Sequence, residues 1–155
     1  MEFRPAATGD TRLLWKWRND PVTRAMSRTA ARVGWEAHRA WFRRALESEE
    51  RTIFLAIHDQ QPIGMLRFDR LGDGAAEISI SLRADIRGRG LGKQMLIEGC
   101  RHGFQALRLR HLYAEVKPDN VASVGCFEAA GFRPIDTTEG MCRFELVRPI
   151  EAIKR

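Results

Sequence analysis

Apolar residues fall at every second position in some stretches of this chain and at every third or fourth in others, and the two periods divide it into strands and helices. Residues 2–6 read as a short first strand. Thr8-Gly9-Asp10 then offers capping residues for a helix carrying Leu13, Leu14 and Trp17, which Asn19-Asp20-Pro21 ends. In a second helix, over about 34–47, Trp35, His38, Trp41, Phe42, Ala45 and Leu46 share one stripe, with Arg39, Arg43 and Arg44 mostly away from it. Residues 52–57 and 62–68 are β-prone runs separated by Asp59-Gln60-Gln61, the pattern of a hairpin. After Leu71-Gly72-Asp73-Gly74, residues 77–82 alternate, with Ile78, Ile80 and Leu82 on one face and Glu77, Ser79 and Ser81 on the other.

The second half repeats the scheme. Leu91, Met95, Leu96, Cys100, Phe104 and Leu107 make one stripe of a helix of about four turns. Residues 111–116 alternate again, with Leu112, Ala114 and Val116 opposite Tyr113 and Glu115. A short helix over about 120–130 and strands near 132–135 and 141–147 complete the chain. The order βααβββαβαββ predicts one α/β domain over residues 1–155, with a mixed sheet of six to seven strands and about four helices. The long helix suits a right-handed crossover between parallel neighbours. Edge strands near the C-terminus are compatible with a homodimer.

Between the strand at 77–82 and the long helix stands Arg87-Gly88-Arg89-Gly90-Leu91-Gly92. Three glycines at a strand-to-helix turn let several backbone N–H groups converge on one anion. The spacing excludes two familiar glycine loops. A P-loop needs a glycine five residues before its Gly-Lys pair and Ser or Thr after it, whereas position 87 is Arg and Gly92-Lys93 precedes Gln94. A dinucleotide fingerprint needs G-x-G-x-x-G near the start of a βαβ unit, and here the order is G-x-G-x-G in mid-chain.

Composition narrows the partners. A net charge of +6 with a pI near 9.9 favours an anionic ligand. Cys100, Cys126 and Cys142 are odd in number and lack Cys-x-x-Cys spacing, so they read as reduced thiols with no metal site. The absence of a long apolar run and of a basic-then-apolar leader makes the expected location cytoplasmic, away from the membrane. Arg87-Gly88-Arg89-Gly90 as a nucleic-acid contact is a weak alternative, because no aromatics interleave with it to stack bases.

Arg87-x-x-Gly90-x-Gly92 resembles the Q/R-x-x-G-x-G/A loop of the GNAT N-acetyltransferases, whose backbone amides hold the pyrophosphate of acetyl-coenzyme A. Asn120-Val121-Ala122-Ser123, leading through Cys126-Phe127-Glu128 to Gly131-Phe132, resembles that family's second signature, N-x-x-S followed by a helix and a closing G-F. The resemblance is firm over about 78–132 and looser before it. It implies that acetyl-CoA is the acyl donor and that the parallel strands ending near Leu82 and starting near His111 splay to admit the thioester arm. By the same resemblance, backbone at Ile80, Ser81 and Leu82 binds that arm, residues Arg87, Gly88, Arg89, Gly90, Leu91 and Gly92 hold the pyrophosphate, and Asn120, Ser123 and Phe127 lie beside the arm.

The resemblance also places a water-mediated base at Glu115, with Glu77 as the next candidate. Many members carry a tyrosine acid seven residues after the asparagine, where this chain has Phe127; Tyr113, the only tyrosine, is the available substitute. A non-catalytic acetyl-CoA sensor is therefore a further reading. Trp15-Lys16-Trp17-Arg18-Asn19-Asp20-Pro21 with Thr23-Arg24, followed by His38, Trp41 and Phe42, resembles the bacterial nucleotide-sugar N-acetyltransferases of the pseudaminic acid type. It resembles the ribosomal-protein acetyltransferases less closely. The acceptor implied is a small amine, first a nucleotide-linked amino-sugar and alternatively a protein N-terminus, held by Arg18, Arg24, His38 and Trp41.

Overall fold

The structure, a computed structural model, describes residues 1–150. Seven strands form one sheet in the order β1-β2-β3-β4-β5-β7-β6. They are β1 (Glu2–Pro5), β2 (Arg51–His58), β3 (Gln61–Gly72), β4 (Ala75–Leu82), β5 (His111–Val116), β6 (Arg133–Thr138) and β7 (Met141–Val147). The helices are α1 (Thr11–Arg18), α2 (Pro21–Met26), α3 (Trp35–Glu47), α4 (Leu91–Ala106) and α5 (Val121–Ala129). Every neighbouring pair is antiparallel except β4 and β5. The mixed sheet and the crossover helix agree with the periodicities.

Two local expectations are corrected. Asn19-Asp20-Pro21 ends α1 but also starts a fifth helix, α2, because the Asp20 carboxylate accepts the Thr23 amide at 3.1 Å and Pro21 occupies the first helical position. Strands β3 and β4 also run into what reads as a loop. Asp73 and Gly74 both have positive φ, 51° and 74°, which is the geometry of a tight primed turn, so pairing continues to Gly72↔Ala75. Asp59 and Gln60, with φ of 51° and 66°, turn the β2–β3 hairpin in the same way.

The sheet is covered on both faces. Phe54, Leu66, Phe68, Ile78, Leu112 and Ala114 pack against α4 and α5. On the other face Ile53 and Leu55 meet Leu14 and Trp17 of α1 and Phe42 and Ala45 of α3. The stripe along α4 is made not only by its large residues but by two buried glycines between them, Gly99 and Gly103. These let the helix sit directly on β3. A β-carbon on Gly103 would lie 2.6 Å from the Phe68 ring, and one on Gly99 would strike Leu66. Phe68 is 1% exposed and Leu66 fully buried, so neither can move aside freely.

This contact generates a stability prediction. G103V should destabilise the fold by about 2 kcal/mol, because overpacking outweighs the small gain in helix propensity over glycine. A thermal melt should show a drop of roughly 4–8 °C; an unchanged melting temperature would mean that α4 does not rest on β3 this closely.

Candidate active site

The site begins where the only parallel pair of the described sheet comes apart. β4 and β5 are in register at Ala75↔His111, Ala76↔Leu112 and Glu77↔Tyr113, and beyond that point they no longer pair. β4 keeps β3 as its partner as far as Gly64↔Leu82, and β5 keeps β7 as far as Val116↔Cys142. Each strand is thus held from outside while the facing edges at 78–82 and 114–116 diverge. Such a slot leaves main-chain donors and acceptors for an extended amide-bearing chain.

At the mouth of the slot lies the glycine loop. Gly88 and Gly90 have φ of 83° and 76°, and nothing lies within 4 Å of where a β-carbon would stand on either. Glycine is therefore required there by backbone conformation, while the space in front of the loop stays open. Gly90 is the N-cap of α4 and supplies no side-chain cap, and the first turn of that 16-residue helix holds no acidic residue. Lys93 stands in that turn instead, exposed. Uncapped N–H donors, the positive end of a long helix and a lysine form an environment that favours an anion. These residues fit a pyrophosphate. On the far side Asn120 caps α5 by accepting the Ser123 amide at 3.2 Å, and the Cys126 sulfur lies 3.7 Å from the β-carbon position of Gly92.

Arg87 is not aimed into the loop. Its guanidinium bonds to Asp20 at 3.0 Å, to the Thr23 hydroxyl at 2.7 Å and to the Leu82 carbonyl at 3.2 Å. It joins the end of β4 to the start of α2. Phe127 is likewise internal: it is 2% exposed, edge-on to Phe132 at 4.9 Å and stacked on Phe144 at 6.2 Å. The ring builds the core behind the slot and carries no hydroxyl into it.

The face of the sheet opposite α4 carries the polar groups. The pairing puts Arg67 beside Ser79, Asp69 beside Glu77, and Glu77 beside Tyr113, with Glu115 two residues on along β5. Helices α1 and α2 and the segment after them roof this face. Lys117 holds the roof by donating to the Ala25 carbonyl at 3.1 Å. Arg28, just beyond α2, reaches down to both carboxylates, contacting Glu115 closely and Glu77 at 3.4 Å. Burial raises the pKa of Glu77 above the ordinary carboxylate value, the Glu115 and Asp69 charges raise it further, and Arg28 and Arg67 oppose them. Arg143 approaches Glu115 from β7 at 3.9 Å. A hollow of about 550 Å³ adjoins Arg28 and Glu115 and extends to Lys117, Asp119 and Met141.

Next to Arg67 on the same face is a second charged group. Burial lowers the pKa of Arg18, and the charges of Arg24 and Arg67 lower it further, so three guanidinium groups share one region. The Arg18 Nη1 and Arg24 Nε atoms are buried without a hydrogen-bond partner. Both side chains are half-buried, and Arg18 also donates through Nη2 to the Thr29 carbonyl at 3.5 Å, so the group keeps donor capacity that an anionic ligand could use.

His38 and Trp41 border this cluster from α3, His38 within the field of Arg18 and Trp41 against Arg67. His38 is 3% exposed, its Nε2 lies 2.9 Å from the Thr11 carbonyl, and burial lowers its pKa. It lies behind the wall, among Trp35, Trp41 and Phe42. Trp41 is sandwiched beneath Arg51 and Arg67 at 5.7 and 5.8 Å and lines a separate hollow of about 350 Å³. Their shared stripe on α3 reflects packing. Conversely, Arg28, Arg67, Asp20 and Lys117 were not among the expected site residues. Arg67 was legible in principle, because it lies on the same face of its hairpin as Met65 and Asp69; Arg28 sits in an aperiodic segment and had no such signal.

Comparison with known proteins agrees with this geometry. Acetyltransferase PseH of Campylobacter jejuni is 24% identical over 134 residues, covering 86% of this chain and 83% of PseH. Its structure with acetyl coenzyme A superposes with a TM-score of 0.75 at 17% identity, covering 96% of this chain and 99% of that one. The aminoglycoside acetyltransferase AAC(6')-Ib, in complex with paromomycin and acetyl-CoA, gives a TM-score of 0.84 at 20% identity over 99% of this chain and 95% of its own. Spermidine N-acetyltransferase from Vibrio cholerae, in complex with CoA and spermine, gives 0.85 at 16% identity over 95% of each. The family model of the acetyltransferase (GNAT) domain matches residues 1–133, and the chain therefore belongs to the GNAT family as an acetyl-CoA-dependent N-acetyltransferase.

Proposed function

We propose that the acceptor is the amine of a nucleotide-linked amino-sugar, bound with its phosphates at Arg18 and Arg24 and its amine at Glu77 and Glu115. The observation that carries this reading is the pair of buried, unpartnered guanidinium nitrogens of Arg18 and Arg24, on the same face as the carboxylate pair. A polycation such as an aminoglycoside or spermine has nothing to offer three clustered arginines. A molecule with phosphate at one end and an ammonium at the other matches both groups at once. The relationship to PseH, with the resemblance of residues 15–24 to the nucleotide-sugar N-acetyltransferases, supports the same acceptor class.

The chemistry follows from the placement. The acyl donor's pyrophosphate would rest on the N–H groups of the loop from Gly88 to Gly92, and its amide arm would lie along β4 at Ile80, Ser81 and Leu82. The thioester carbonyl would then stand near the divergence point, with Glu77 and Glu115 on the acceptor side. The amine must lose a proton before or as it attacks; Glu77, whose pKa is raised, is the better matched acceptor of that proton, directly or through water. The new bond is carbon to nitrogen and the broken one carbon to sulfur. Coenzyme A leaves as thiolate and later takes a proton. Glu115 is the first base candidate by resemblance, and in this arrangement it acts by raising Glu77.

Three outcomes test the proposal. Thiol release should be seen with a UDP-linked 4-amino-sugar and be weak with kanamycin, spermidine and N-terminal peptides. R18A and R24A should each raise KM for the nucleotide-sugar by roughly tenfold or more, with kcat changed less, as expected on loss of a charge-assisted phosphate contact. Efficient turnover of a peptide N-terminus, with no effect of either arginine, would give the site to the alternative acceptor.

A pH profile separates the carboxylates. A base works only when deprotonated, so kcat/KM should fall as pH drops through the raised pKa of Glu77. E115Q removes a charge that raises Glu77 and should move that acidic limb to lower pH, whereas E77Q should abolish it. A limb that survives in E77Q and vanishes in E115Q would make Glu115 the base.

At the other end, G90A forces alanine into a left-handed conformation at a cost of about 1–2 kcal/mol. Coenzyme A affinity, read by calorimetry, should fall roughly tenfold; unchanged affinity would remove the loop from the cofactor site.

A further inference from the structure

One side chain in the acceptor chamber already makes the contacts a substrate ammonium would make. The same Nη2 of Arg28 contacts Glu77 and Glu115, carboxylates 49 and 87 residues away in the chain. The two carboxylates stand on different strands, at the point where those strands part. The arginine comes from neither strand and from no helix, but from the segment between α2 and α3, where residues 28–32 are exposed. Its side chain is 61% exposed, so the guanidinium can leave without unpacking anything. The carboxylates are the sheltered partners, at 28% and 26% exposed, so the exchangeable member of each pair is the arginine.

We infer that Arg28 determines acceptor specificity, its guanidinium keeping the ammonium place between Glu77 and Glu115 so that an acceptor is admitted only if it also brings an anion for the displaced arginine. The inference rests on the reading of Glu77 and Glu115 as the amine end of the chamber. Its logic is an exchange. An incoming ammonium replaces one ion pair by another, which is close to neutral. Arg67 flanks Glu77 together with Arg28, and Arg18 and Arg24 lie on the far side of Arg67, so the displaced guanidinium adds its charge to an already cationic surface. A phosphate-bearing acceptor lowers the repulsion there, and a polyamine adds to it. Without Arg28, the same pair of carboxylates would be an open site for any polycation. The residue thus separates this chamber from a polyamine site without changing the carboxylates.

The test compares wild type with R28A, R28Q and R28K, measuring kcat and KM for a UDP-linked 4-amino-sugar and for spermidine, with spermidine affinity read separately by calorimetry. R28A and R28Q should lower the KM and Kd for spermidine by roughly tenfold and raise KM for the nucleotide-sugar by a similar factor, the size expected of one close charge pair. R28K, whose ammonium can also bridge two carboxylates, should stay near wild type. Melting temperature and coenzyme A affinity report whether each variant is folded, and R28Q keeps the side-chain length if R28A is not. An unchanged spermidine-to-nucleotide-sugar ratio in both neutral variants, or R28K behaving as R28A does, would overturn the assignment. Failure of wild type to acetylate the nucleotide-sugar would sink the acceptor reading alone; the spermidine affinities would still decide the role of Arg28, a gain in the neutral variants supporting it and no gain overturning it.

Discussion

Everything in the site depends on two parallel strands that stop pairing after three residues. A sheet edge in the middle of a sheet is unfavourable, because it exposes backbone donors and acceptors that pairing would have satisfied. Here it persists because each strand is secured on its other side: β4 by eight paired positions of β3, β5 by six of β7. The β3–β4 pair is fixed in turn by α4, which is seated on β3 through Gly99 and Gly103. Closing the slot would mean sliding or bending these anchored layers. The opening is therefore rigid and preformed, and the loop that follows β4 and the helix that follows β5 both deliver their N-termini to it.

The roof is built on another principle. α2 contains no fully buried residue, and polar contacts tie it and the segment after it to the rest: Arg87 on Asp20 and Thr23, Lys117 on the Ala25 carbonyl, and Arg28 on the carboxylates below. Apolar packing would fix it permanently, whereas exposed ionic contacts can be exchanged for those of a ligand. Arg87 gives this roof a connection to the cofactor side. It lies between the end of β4 and the glycine loop, yet its guanidinium is committed to the N-cap of α2. A displacement of the loop would be felt at Asp20, and through it at the helix that covers the acceptor face. A floor made rigid by packing and a cover made adjustable by charge suit a transferase that must admit two substrates and release two products.

The floor was legible in the sequence and the cover was not, for a physical reason. Apolar alternation marks β4 and β5, and helical spacing marks α1, α3 and α4, because burial imposes those periods. The glycine loop is legible because positive φ restricts residue choice at Gly88 and Gly90. α2 has six residues and no buried face, so no period betrays it, and Pro21 both stops α1 and starts α2. His38 and Trp41 share the apolar stripe of α3, where packing and ligand contact impose the same spacing; His38 is buried in the aromatic cluster and Trp41 is partly buried. Phe127, at the family's tyrosine position, proved to be a core ring. Long-range ion pairs such as Arg28 with Glu77 and Glu115 leave no local trace, since neither periodicity nor spacing constrains residues that meet across 49 and 87 positions.

Phe127 raises the question of how sulfur leaves without an acid. General acid catalysis contributes roughly 100- to 10,000-fold when the leaving group needs a proton in the transition state. An alkyl thiol of pKa about 8.5 needs one far less than an alkoxide or amide does. The uncapped positive end of α4 beside the slot also favours a nascent thiolate. Tyr113 stands directly beside Glu77, stacked on His111 at 5.6 Å, and therefore lies on the acceptor face with the base. A phenol there is placed to order the amine or a water near Glu77 more readily than to reach a sulfur on its way out between the strands. In the proposed reading the catalytic effort goes to deprotonating the amine, where a charge must be removed, and departure of the thiolate is left to the electrostatics of the α4 N-terminus.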